Sequence, residues 1–195
     1  GNEKVVRVNF CWYLPKSDLS IGQAMFTGNA FGDKPSKGTA PGQQQVSGFA
    51  GKQLVNTFDP NGDGQMGILL SPEFKINKRF LKFLVGGGNQ KDKTSVNLVV
   101  DDEIIKTATG NQSEVLNEQV WDLKEYVGKT ARIKIIDLET AAWGHILADQ
   151  FVLTDDRTED LFVPSSSAIL LADFEGEDYE EWEIIEAEEQ QSSLA

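Results

Sequence analysis

What most constrains this chain is the rhythm of its apolar runs. From residue 53 to residue 154, stretches of four to nine apolar or alternating residues recur at short intervals, and most are closed by a turn rich in Gly, Asn or Asp. Alternation sends successive side chains to opposite faces of a strand, so the pattern predicts strands at 53–58, 67–70, 73–76, 79–85, 95–100, 103–108, 119–122, 131–137 and 146–154, with two more at 5–10 and 24–27. No helical pattern of 10–15 residues separates them, and parallel strands cannot be joined without such a crossover. The economical fold is therefore all-β, a two-sheet antiparallel sandwich of jelly-roll or lectin type. A chain of 195 residues suffices for one well-cored domain of this kind and is tight for two.

Three local features refine the outline. The clearest hairpin runs from Thr94 to Lys106, its arms flanking Asp101-Asp102, where short polar side chains tolerate the left-handed backbone of a tight turn. Residues 28–51 are rich in Gly, Pro, Gln and Ser and poor in β-branched residues, which predicts a long loop over one face or edge. Residues 122–128 read as one helical turn ended by Gly128.

Charge divides the chain unevenly. The formal net charge is −13, but residues 173–195 hold ten Asp and Glu and no Lys or Arg, leaving the body near −3. Pro164-Ser165-Ser166-Ser167 has the composition of a linker. The expected organisation is a sandwich over 1–160, a linker over 161–172 and an acidic C-terminal extension over 173–195. Nucleic acid and anionic membranes are not expected partners, because both select clustered Lys and Arg. No apolar stretch approaches the roughly 18 residues of a membrane span, so membrane insertion is not expected either. One cysteine, Cys11, forms no disulfide framework within a chain, and one histidine, His145, cannot build a multi-histidine metal centre.

The candidate motifs have competing readings. Asp59-Pro60-Asn61-Gly62-Asp63-Gly64 resembles the front of an EF-hand loop, but the twelfth position, which needs a bidentate Glu, is Leu70, so a hairpin turn is preferred. Gly86-Gly87-Gly88-Asn89 leads into a strand, whereas a phosphate loop opens a helix. A tight bend admitting a ligand or a neighbouring strand fits better. Trp143-Gly144-His145 could grip a polyol, the indole stacking on sugar C–H bonds while imidazole and carboxylates bond vicinal hydroxyls. It could equally be a core Trp beside a satisfied turn His. There is no G-x-S-x-G elbow, and paired carboxylates for glycoside hydrolysis cannot be located by spacing alone. Asn111-Gln112-Ser113 is a glycosylation sequon that matters only in a glycosylating host.

Many short segments, in one order, resemble a known family: Thr27-Gly28-Asn29-Ala30-Phe31-Gly32, Gly48-Phe49-Ala50-Gly51-Lys52-Gln53-Leu54-Val55-Asn56-Thr57-Phe58, Leu70-Ser71-Pro72-Glu73-Phe74, Phe83-Leu84-Val85-Gly86-Gly87-Gly88-Asn89, Val96-Asn97-Leu98-Val99-Val100-Asp101, Thr107-Ala108-Thr109-Gly110, Trp121-Asp122-Leu123, Gly128-Lys129-Thr130-Ala131-Arg132-Ile133 and Trp143-Gly144-His145-Ile146. Over residues 26–155 the chain resembles the levan-binding carbohydrate-binding modules of family 66, β-sandwiches appended to fructan-degrading enzymes of glycoside hydrolase family 32. The resemblance implies a non-catalytic module that is secreted, periplasmic or at the cell surface, and that binds a terminal fructose through polar and aromatic groups. It implies ligand contacts at Trp143, His145, Asn89, Asp63 and Glu114, and a structural calcium with Asp149 as ligand.

One departure is positional. The family's opening, Asp-Phe-Glu-Gly followed by an aromatic and a Trp, is absent from the N-terminal segment. It occurs instead as Asp173-Phe174-Glu175-Gly176 with Tyr179 and Trp182. That placement reads as the first strand of a second, truncated copy or of a following module. A helix over 178–189 stays open, because Tyr179, Trp182 and Ile185 share a face. Two other functional classes compete: a protein-interaction sandwich of a surface assembly, which would carry an exposed apolar patch and no polar-lined pocket near Trp143, and a glycoside hydrolase in its own right.

Overall fold

A computed structural model describes residues 29–185. Its strands are β1 (Val55–Asn56), β2 (Gly67–Leu70), β3 (Phe74–Lys75), β4 (Phe80–Gly87), β5 (Thr94–Val100), β6 (Glu103–Ala108), β7 (Ser113–Asp122), β8 (Thr130–Asp137), β9 (Ile146–Thr154), β10 (Ile169–Ala172) and β11 (Glu183–Ile185). Every strand pairing is antiparallel. One sheet has the order β1-β9-β4-β7, with β10 sharing the β1 edge of β9. The other has the order β11-β2-β8-β5-β6, with β3 beside β2 on β8. The two sheets face each other across one core, so the antiparallel sandwich expected from the apolar rhythm is the fold. The strands expected at 5–10 and 24–27, and Cys11, lie outside the described residues.

Alternation on β4 explains the layering. Leu81, Phe83 and Val85 point between the sheets, where Phe83 stacks on Phe151 at 5.0 Å and meets Trp121 edge-on at 4.7 Å. On its opposite face, Leu84 joins Val46, Ala50, Leu54, Leu116, Leu147, Val152 and Leu161 in a second cluster. The outer face of this sheet is thus covered by the 29–54 loop and by the chain around Leu161, and both β4 and β9 are buried at every residue. Each fully buried Phe or Leu contributes about 2 kcal/mol of transfer free energy, so the covering loop is a structural layer as well as a connection. β7 is longer than the expected 119–122 because Glu118, Asn117 and other polar residues on its exposed side interrupt the apolar signal. The 101–102 hairpin turn has the positive φ angles anticipated, 52° and 62°. The turn before Gly128 is a single 3-10 turn, Lys124–Tyr126.

The C-terminal segment differs from expectation. Where a linker over 161–172 and a separate extension from 173 were expected, Leu161 is buried in the outer cluster and β10 and β11 supply an edge strand to each sheet. Phe174 and Tyr179 are core residues, with Trp182 packed against them, and the Tyr179 hydroxyl donates to the Phe31 carbonyl at 2.8 Å. The described part of 173–195 therefore completes this sandwich, with its aromatic side chains packed into the core. From Tyr179 to Ile185 the chain makes a turn and then a strand, not a helix. Residues 186–195 lie outside the described range.

Candidate functional site

The connections β1–β2, β4–β5, β6–β7 and β8–β9, together with residues 36–47, meet at one end of the sandwich. The Gly-rich bend after β4 makes this possible. Gly88 N–H donates to the His145 carbonyl at 2.8 Å, and Gln112 N–H to the Gly87 carbonyl at 2.9 Å. A Cβ on Gly88 would overlap the Trp143 carbonyl oxygen and crowd Thr94, so only glycine permits this approach. The run read as a bend for close approach receives two strand-end loops there, and nothing in it opens a helix.

His145 is the hub of this end. Its Nδ1 lies 2.6 Å from Asp63 Oδ1, and its Nε2 lies 3.2 and 3.3 Å from the two Glu114 carboxylate oxygens. The ring is 3% exposed. Burial opposes its charging, but the hydrogen bonds to Glu114 and Asp63 outweigh that, and the imidazole pKa stands above its ordinary 6.5. Trp143 stacks on the imidazole at 5.6 Å and 26°, and Phe58 meets it edge-on at 5.3 Å. Trp143 has a left-handed φ of 63°, held by its N–H donating to Asp63 Oδ2 at 3.1 Å. Asp63 thus spends both oxygens on the 143–145 turn, and Asp59 accepts from the Ser36 hydroxyl at 2.7 Å. Within 59–64 these carboxylates organise a turn.

Four of the five residues expected to contact a ligand are therefore gathered: Trp143, His145, Asp63 and Glu114. Asn89 stands exposed at the rim, two residues from the Gly87 bend, and its amide makes no hydrogen bond to the described residues. His145 has neither nitrogen free, so its role is to hold the two carboxylates, while the indole is half-buried and Asn89 is exposed.

Four further participants carried no local signal. Gln43 donates to Glu114 Oε2 at 3.0 Å and exchanges hydrogen bonds with Asn56, which is 2% exposed. Thr57 pins the start of β9 by accepting from Ile146 N–H at 2.8 Å. Asp137, at the end of β8 and fully buried, accepts from Glu139 N–H at 3.4 Å, while its Oδ2 has no partner. Burial pushes this carboxyl up to about 8, against the opposing hydrogen bonds from Thr57 and Glu139 and the field of His145. Gln43 sits in a polar loop and Asn56 and Thr57 in an apolar run, so only the tertiary fold identifies them.

Asp149 lies away from this end of the site. Its Oδ2 accepts from Ala50 N–H at 2.7 Å, and its Oδ1 is buried without a partner. Burial raises its pKa to about 8, and Glu175 and Asp173 add to the shift. Glu175 Oε1 accepts from Lys52 and Gln53 N–H at 2.6 and 2.8 Å, so the two carboxylates bracket residues 50–53. An orphaned carboxylate oxygen beside a second carboxylate suits a hard cation that takes oxygen ligands, so the residues fit calcium in charge and atom type. Among the described residues no group of three or more His, Cys, Asp or Glu gathers as a metal-ligand set, so backbone carbonyls would have to complete the shell.

No family model matches the chain. It is 40% identical over 131 residues, 67% of its length, to a protein of Aspergillus rugulosus named as a glycosyl hydrolase (ecdE). The chain spans 18% of that relative's length. The relationship is to a carbohydrate-related protein. Among the described residues no helix is long and apolar enough to cross a membrane.

Proposed function

We propose that the chain is a non-catalytic carbohydrate-binding module that engages a terminal sugar of a fructan of levan type and holds an attached glycoside hydrolase to its polymer. The observation that carries this reading is the indole of Trp143 stacked over a His145 whose two nitrogens bind Asp63 and Glu114. An aromatic platform beside immobilised carboxylates and a free rim amide at Asn89 is the chemistry that recognises a polyol. The family resemblance supplies the fructan, and the relative named as a glycosyl hydrolase supports the carbohydrate context.

Hydrolysis by this end of the fold is disfavoured. Asp63 and Glu114 stand on opposite nitrogens of one imidazole, and the ring fills the interval where a glycosidase would seat the anomeric carbon between its acid and its base. Calcium at Asp149 and Glu175 belongs to the proposal as a structural ion, one that neutralises the paired carboxylates and fastens residues 50–53 to the last long strand. An extracytoplasmic location follows from a polymeric substrate.

Each hydroxyl contact contributes about 1 kcal/mol net and stacking a similar amount, so single-site affinity should be micromolar to millimolar. Calorimetric titration with levan, inulin and an unrelated β-glucan tests the assignment. Heat with levan and none with the glucan is expected, and no heat with any fructan would overturn it.

A further inference from the structure

We propose that residues 169–185 can leave their own sandwich and complete that of a second copy of this chain, giving a strand-exchanged dimer. The segment is bound as a unit rather than as an ordinary hairpin arm. β10 joins the edge of β9 and β11 joins the edge of β2, so one short stretch closes both sheets. Between these strands, Phe174 packs edge-on against Phe151 at 6.1 Å, and the Gln53 amide donates to the Phe174 and Gly176 carbonyls at 3.2 and 2.8 Å. All of these partners lie before residue 155, so an exchanged segment would meet the same partners in a neighbouring molecule.

The connector is longer than joining the two strands requires. Ile169 is the ladder partner of Leu153, and such neighbours stand about 5 Å apart. A hairpin needs two to five residues to cover that gap, whereas residues 155–168 are interposed. Part of this connector is fastened: Leu161 is buried, and its carbonyl accepts from the Gln150 amide at 2.7 Å. Beyond it, Ser165 donates to the Glu159 carboxylate and Ala168 packs on the outer cluster; once these contacts are released, the chain from Leu161 to Ile169 reaches about 26 Å, enough to enter the groove of an adjoining copy.

The surface beside the hinge says what would be gained. Phe162 is 58% exposed, Val163 75% and Leu170 48%, half of the large apolar side chains exposed among the described residues. Exchange leaves the β10 and β11 contacts unchanged, so the balance rests on the connector and on any new surface covered. Phe162 and Val163 lie on the connector, so crossing of two connectors offers them a surface to cover, and Leu170 stands beside them on β10.

The test is a Leu70→Cys, Glu183→Cys pair in a Cys11→Ser background. These residues are ladder partners of β2 and β11, at a separation a disulfide spans. The full chain is unfolded, refolded at micromolar and at millimolar concentration, oxidised, and examined by light scattering and on a non-reducing denaturing gel. Monomer with an internal disulfide is expected at low concentration, and a covalently linked dimer at high concentration. Absence of a dimer at millimolar concentration, or a dimer that runs as monomer on the gel with its thiols oxidised, would overturn the proposal. Replacing Phe162 and Val163 by Ser should lower the dimerisation constant by about tenfold or more at unchanged monomer melting temperature. An unaltered constant would refute the part assigned to the hinge. Should the cysteine pair prevent folding, the unmodified dimer decides: exchanged strands separate only as fast as the protein unfolds, and rapid dissociation on dilution would sink the idea.

Discussion

Replacing Asp137 by Asn isolates the electrostatic cost of the carboxyl beneath the candidate site. Asp137 is fully buried, its Oδ2 is unpartnered, and its pKa is raised from 3.8 to about 8. Between these values the unfolded chain has released the proton that the folded chain still holds. The folded state then binds more protons, and stability falls as pH rises from about 4 to about 8. At 1.36 kcal/mol per pH unit, the ceiling on this loss is roughly 6 kcal/mol. Relaxation and water entry reduce the effective penalty of a buried charge, so about 2–4 kcal/mol is the expected size. Asn mimics the protonated carboxyl and cannot ionise. Asp137→Asn should therefore match the parent near pH 4 and exceed its stability by about 2–4 kcal/mol at pH 8. Urea denaturation at a series of pH values measures the difference, and comparison with the parent cancels the similar titration of Asp149. A variant that loses stability equally at pH 4 and pH 8 would refute the reasoning, because the carboxyl would then act through its shape and hydrogen bonds and not through its proton.

Trp143→Ala should weaken fructan binding by about tenfold, the equivalent of one stacking contact near 1.4 kcal/mol, with a smaller fall in melting temperature than a core truncation gives because the indole is only partly buried; calorimetry and a thermal scan check the two halves. Calcium at a hundred times its dissociation constant should stabilise the parent by about 2.7 kcal/mol. Asp149→Asn should abolish that gain, and a thermal shift equal in both proteins would place the ion elsewhere. Phe174→Ala should cost about 3–5 kcal/mol in denaturant unfolding, since its ring lies among Phe151, Tyr179 and Trp182. A loss below about 1 kcal/mol would mean that the segment contributes little to the core.

The sequence by itself determined the layer architecture. Alternation on runs such as Leu81 to Val85 and the left-handed turn at Asp101-Asp102 are local statements, because strand periodicity and turn chemistry act over two to four residues. Residue type brought forward Trp143 and His145 as groups able to bind a polyol, and the family resemblance added Asp63, Glu114 and Asn89. Tertiary structure decided how they are used. His145 is closed off between Asp63 and Glu114, which arrive from chain positions 82 and 31 residues away, and no periodicity encodes such a meeting. Gln43, Asn56 and Asp137 entered the site for the same reason. The acidic extension is the sharpest case. Its composition reads as an acidic extension set apart by a linker, because ten carboxylates stand there with no Lys or Arg, yet Phe174, Tyr179 and Trp182 direct it into the core of the sandwich. Charge density is a property of the segment alone. Whether three aromatic rings find a groove depends on the open edges of β9 and β2, and those edges exist only once the two sheets have formed.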